Sequence, residues 1–87
     1  MEKIQDWKMK QIKRYLKNAI KWQLESMENL KNQYFVITAG QFATGYTSDL
    51  GMFLARNNIV FEDEEWEKLY MECSEEARKD FLEEHKQ

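Results

Sequence analysis

A helical stripe near the N-terminus constrains this chain more than any other feature. Placed at about 100° per residue, Met9, Ile12, Leu16, Ala19, Ile20, Met27, Leu30 and Tyr34 gather on one side, the pattern of an amphipathic helix that buries one face. Lys3, Lys10, Arg14, Lys17 and Lys21 gather on the opposite side. In a straight helix this basic stripe runs about 27 Å, at 1.5 Å per residue. Trp7 and Trp22 fall on the shoulder between the faces, where a large ring is either half buried against a core or open to a partner.

The remainder of the chain favours continuing in helices. With no proline and three glycines in 87 residues, few positions break a helix. The length suits one domain with one modest core and is too short for most complete enzyme folds. The first helix is expected over about residues 3–32. Thr38 followed by Gln41 has the spacing of a capping box, and Phe42, Tyr46, Leu50, Phe53 and Leu54 then recur at helical intervals. A second helix is therefore expected over about 39–57, stopped by Asn57-Asn58. Gly45 and Gly51 each cost it about 1 kcal/mol relative to alanine, so a shorter helix capped by Thr47 or Ser48 is the alternative. The acidic run Glu62 to Glu65 suits the positive end of a helix dipole. Trp66, Leu69, Tyr70, Cys73, Ala77 and Phe81 then mark one face of a third helix over about 62–86.

The expected fold class is mostly α: a compact three-helix antiparallel bundle with a long N-terminal helix, residues 1–87 forming a single domain. One β option stands beside it. Residues 34–38 are aromatic and β-branched, and could pair with Ile59-Val60-Phe61 as a minimal two-stranded element. The expected core is Ile12, Leu16, Ile20, Met27, Leu30, Phe42, Leu50, Phe53, Leu54, Trp66, Leu69, Tyr70 and Phe81.

Motifs that carry chemistry are weak. Gly40 to Thr47 places two glycines as a phosphate-binding loop does, but Tyr46 stands where such a loop needs its lysine. Cys73 falls on the apolar face of the third helix and reads as a core residue. His85 lies three residues from the end of the sequence, without a catalytic or metal-binding companion. The carboxylates at 62–65 read as a solvated helix start, since no other segment supplies converging oxygen ligands. No catalytic residue, metal or cofactor is expected. A single cysteine forms no internal disulfide, and no apolar run resembles a signal peptide or membrane span, so a cytoplasmic protein is expected.

Charge carries the functional reading. Residues 1–32 hold eight basic side chains against four acidic, a net of +4, whereas residues 33–87 hold five against twelve, a net of −7. Glu65, Glu72, Glu76 and Glu83 repeat at intervals of seven, four and seven, as do Lys3, Lys10, Arg14 and Lys21. On helical wheels the basic set opposes its own core face and the acidic set lies about 100° from its own. Pairing of the two sets inside one molecule is therefore not expected, and pairing between copies would make a homo-oligomer.

A small, acidic, aromatic-rich chain of this kind fits stoichiometric protein binding better than catalysis. The expectation is a modulator of the sort that phages and mobile elements encode, anti-CRISPR proteins among them, blocking a host nucleic-acid enzyme by occlusion or acidic charge mimicry. Its contact residues would be Glu65, Glu72, Glu76 and Glu83, against a partner with a basic surface. The alternative is a nucleic-acid-binding regulator that uses Lys3, Lys10, Arg14, Lys17 and Lys21 with Trp7 and Trp22.

Overall fold

A computed structural model describes residues 4–28 and 33–84, with residues 28 and 33–38 described by backbone alone. Three helices form: α1 (Asp6–Glu28), α2 (Gln33–Arg56) and α3 (Asp63–Glu84). They assemble into an elongated bundle measuring 45 × 23 × 22 Å. α1 packs along both α2 and α3, while α2 and α3 make no comparably close backbone approach among the described residues. α1 is thus the shared wall, as its apolar stripe demands.

Each helix end has a local cause. α1 opens with the Met9 N–H donating to the Gln5 carbonyl at 3.0 Å. α3 opens with the Trp66 N–H donating to the Glu62 carbonyl at 2.9 Å, and Glu65 Oε1 reaches back to accept from the Glu62 N–H at 3.4 Å. That return bond is one half of a capping box. Asp63, Glu64 and Glu65 fill the first turn, where negative charge is stabilising. α2 closes in a Schellman motif. Ile59 N–H donates to the Leu54 carbonyl at 2.9 Å and Asn58 N–H to the Ala55 carbonyl at 3.2 Å. Asn58 takes the left-handed φ of 53° that this turn requires, and asparagine tolerates it better than most side chains. Leu54 and Ile59 both pack against the core, supplying the apolar contact that accompanies the motif.

The core is a column of Ile12, Leu16 and Ile20 from α1, Leu50 from α2, and Leu69, Cys73 and Ala77 from α3. Phe53, Leu54, Phe61 and Trp66 are half buried around it. Ala19, Ala39, Ala43 and Phe81 are also buried. Three residues expected in the core are instead exposed: Met27, Phe42 at 49% and Tyr70. On the wheel Met27 and Tyr70 share the azimuth of the buried residues of their helices, and Phe42 lies about 80° from Leu50. Leu30 lies outside the described residues, as do Lys3, His85 and the side chain of Tyr34.

The β option fails. Residues 34–38 are helical, inside α2, and 59–61 form part of the connection between α2 and α3. A lone strand would leave its backbone groups without partners, whereas continuing the helix satisfies them locally. α2 therefore starts at Gln33, not at 39, and Thr38 is not its cap. Nor do Thr47 and Ser48 restart it. Thr44 Oγ1 donates to the Gly40 carbonyl at 3.0 Å and Thr47 Oγ1 to the Ala43 carbonyl at 2.9 Å, the four-residue back-bond of hydroxyls within a helix. The same geometry disposes of the phosphate-loop resemblance, because Gly40 to Thr47 is continuous helix.

Candidate functional site

The two flanks of α1 carry different chemistry. On the flank facing α2, Phe53 receives the edges of two rings, Trp7 at 6.3 Å and Tyr15 at 6.0 Å between centroids. Nearer the other end, Trp22 stacks on Phe42 at 4.8 Å with 30° between planes. Pairing 7 with 53 and 22 with 42 shows that α1 and α2 run antiparallel. Trp7 remains 59% exposed; its Nε1–H donates to Gln5 Oε1 at 2.9 Å, and Lys8 Nζ lies 5.5 Å from its ring centroid, within cation–π range.

The flank facing α3 is a ladder of ion pairs. Lys13 meets Glu72 at 3.8 Å, Lys17 meets Glu76 at 4.0 Å and Asp80 at 2.6 Å, and Lys21 meets Glu84. Numbers rise together on both sides, so α1 and α3 run parallel, as an up-down-up bundle requires. Among the described residues no ion pair joins the two expected rows directly; pairing within the molecule runs through Lys13, Lys17, Asp80 and Glu84, which lie outside those rows. The helical wheel places the lysines off the core face correctly. It omits their reach, because a lysine stem extends along its helix surface and carries the ammonium to the neighbouring helix. Lys13, absent from the expected basic set, is one rung of the ladder.

Electrostatics follow the short contact. The Lys17 ammonium is pushed above its ordinary 10.5, first by the hydrogen bond to Asp80 and against the cost of partial burial. The same bond holds the Asp80 carboxyl below its ordinary 3.8. Cys73, buried in the core, has its thiol pushed up by desolvation, which keeps it in the unreactive form.

The four carboxylates expected to meet a partner share one flank of α3 and are all exposed, yet three have work within the fold. Glu65 bonds back to its own helix start, Glu72 pairs with Lys13 and Glu76 with Lys17. Glu83 has no ion pair among the described residues. Of the basic set, Lys17 and Lys21 are held by α3, whereas Lys10 and Arg14 are exposed and outside the ladder. Lys10, Arg14, Asn18 and Asp80 line a shallow groove of about 360 Å³ together with the three paired lysines. A second groove, about 560 Å³, runs between α1 and α2 and is lined by Gln23, Ser26, Met27, Thr44, Thr47 and Ser48 among others, with no ionisable side chain.

A third surface was not anticipated. On the α3 wheel Met71 and Leu82 lie about 20° apart and point away from the buried line. Both are 63% exposed, and Glu64, Glu67 and Glu75 share that outer face with Lys68, Arg78 and Lys79. The sequence signal was available as apolar residues out of phase with the Leu69, Cys73, Ala77 and Phe81 stripe.

Among the described residues no group of three His, Cys, Asp or Glu side chains is placed to hold a metal ion, and no helix is long and apolar enough to cross a membrane. In comparisons with known proteins, no family model, curated protein or solved structure matches the chain.

Proposed function

We propose that this chain is a non-catalytic protein-binding modulator that engages its partner through the outer face of α3. The observation carrying this reading is the pair Met71 and Leu82, large apolar side chains held 63% exposed on the outer face of a helix, within a surround of mixed charge. Apolar anchors inside a charged rim are the usual anatomy of a protein contact, and an apolar side chain left in water gains free energy when a partner covers it. α3 carries ten carboxylates against three basic residues, and the three ladder lysines offset three of the ten. With Lys68, Arg78 and Lys79 also counted, a net of four negative charges remains, which favours a partner with a basic surface. Such surfaces are typical of enzymes that handle nucleic acid, so an inhibitor of the phage-encoded, anti-CRISPR-like kind is the role this surface fits. It would act by occlusion, with charge steering the approach.

The test is affinity capture from bacterial lysate with three baits: the parent chain, a Met71→Asp/Leu82→Asp variant and a Glu83→Lys variant. A partner held by the parent and released by the double variant supports the reading, with Glu83→Lys weakening capture less and mainly at low salt. A partner held equally by all three baits would rule out this face. Sizing chromatography of the same proteins covers the remaining case, since an oligomer lost in the double variant would make the partner a second copy.

A further inference from the structure

We propose that the outer face of α1 binds single-stranded nucleic acid, with Lys10 and Arg14 taking backbone phosphates and the pairs Trp7–Phe53 and Trp22–Phe42 taking bases. This surface lies on a different helix from the Met71–Leu82 face and stands independently of it.

Four observations meet there. From Trp7 to Leu24 the chain carries six basic residues and no carboxylate. The ladder to α3 occupies three of the six; of the others, Lys8 is half buried on the α2 flank beside Trp7, and Lys10 and Arg14 are exposed without an ion pair among the described residues. Lys10 and Arg14 border the groove of about 360 Å³ on the face turned away from the core. On the other side of that face stand two aromatic pairs, in which Trp7 is 59% and Phe42 49% exposed. The two tryptophans are separated by 15 residues of helix, about 22 Å, and lie about 60° apart on the wheel, with Arg14 about 20° and Lys10 about 60° to the other side of Trp7. Phosphates follow positive charge and bases stack on exposed aromatic rings whatever their identity, which is how proteins hold single strands without sequence preference.

The flanks decide between one strand and two. Glu72, Glu76, Asp80 and Glu84 line the α3 side of α1, where a second phosphate backbone would meet carboxylates. A single strand displaced toward the aromatic side avoids them. A duplex also keeps its bases stacked on one another and has none to offer Trp7 or Trp22.

Titration of the full chain with oligothymidylate and, separately, oligouridylate at low salt, followed by tryptophan fluorescence, tests this. Saturable quenching is expected with one or both oligomers. Two phosphates neutralised on a single strand give a slope of log affinity against log salt of about −1.4. Lys10→Glu/Arg14→Glu should weaken binding by about tenfold or more at low salt. Trp7→Ala should weaken it by about fivefold or more, with circular dichroism confirming that both variants keep their helices. Met71→Asp/Leu82→Asp should leave the titration unchanged, which separates this surface from the protein-binding one. Absence of quenching with both oligomers, a salt slope near zero, an affinity indifferent to the Lys10/Arg14 reversal, or equally tight binding of a duplex of the same length would each overturn the proposal.

Discussion

One helix holds two neighbours by different physics. Against α2, α1 presents rings: Trp7 and Tyr15 on Phe53, Trp22 on Phe42. Against α3 it presents a shared apolar column edged by exposed ion pairs from Lys13, Lys17 and Lys21. Ring contacts are short-ranged and indifferent to salt and pH, so the α1–α2 half is set by shape. Exposed ion pairs are screened by salt and switched by protonation, and each contributes between nothing and about 1 kcal/mol. The ladder thus adjusts the attachment of α3, while Leu69, Cys73, Ala77 and Phe81 supply most of it.

The largest expected effect tests the ring side. Phe53→Ala removes a half-buried ring together with two edge contacts, and should cost about 3 kcal/mol in chemical denaturation, with the loss unchanged in high salt. A cost below about 1 kcal/mol would mean that α2 is held by something other than these rings.

Next comes a gain. Gly51 lies exposed in mid-α2, and a Cβ built on it meets no atom within 4 Å. Gly51→Ala should therefore stabilise the protein by up to about 1 kcal/mol, since helix propensity improves with no steric cost. Destabilisation would show that the α2 backbone is not a regular helix at that point.

The smallest effect tests the charged side. Lys17→Gln should cost less than about 1 kcal/mol, and the difference from the parent should vanish in about 1 M salt. Its pH dependence has a definite sign. Asp80 is held below 3.8, so its contribution is complete above that value and is lost as pH falls through the lowered one. Lys17 is raised above 10.5, so its contribution is complete below that value and is lost as pH rises through the raised one. Denaturation curves of parent and variant should differ across the neutral range and converge at both extremes. Curves that stay apart at low pH would assign Lys17 a packing role.

Much of the fold was legible because its strongest signals are periodic. Ile12, Leu16 and Ile20 on α1, and Leu69, Cys73, Ala77 and Phe81 on α3, fall in the buried faces that their spacing marks. Asn57-Asn58 ended α2 as its composition suggested, for the reason that Asn58 accepts a positive φ. The start of α2 was hidden, because β-branched propensity at 36–38 is a preference of tenths of a kcal/mol and context overrides it. Met27, Phe42 and Tyr70 were misplaced for a related reason: a wheel shows which residues share a face but not how far the neighbouring helix extends over it. The α1–α3 ladder depends on helix direction and on lysine reach, neither of which a single-helix pattern contains. The same ladder explains why the candidate carboxylates Glu72 and Glu76 could look like an outward-facing row.

Lys17 touches two carboxylates one turn apart, Glu76 and Asp80, and this has a consequence for how α3 finds its place. Lysines recur every four residues on α1, and carboxylates recur every four from Glu72 through Glu84. Translate α3 by one turn, about 5.4 Å, and Lys13 finds Glu76 while Lys17 keeps Asp80 and Lys21 keeps Glu84. The charges are nearly degenerate to that slip: they select the direction of α3 and the side of α1 it occupies, and are blind to its height. The height is encoded in side-chain volume. The sequence of large, small, small, large in Leu69, Cys73, Ala77 and Phe81 does not map onto itself after one step, so a slipped helix would exchange large for small side chains along the core.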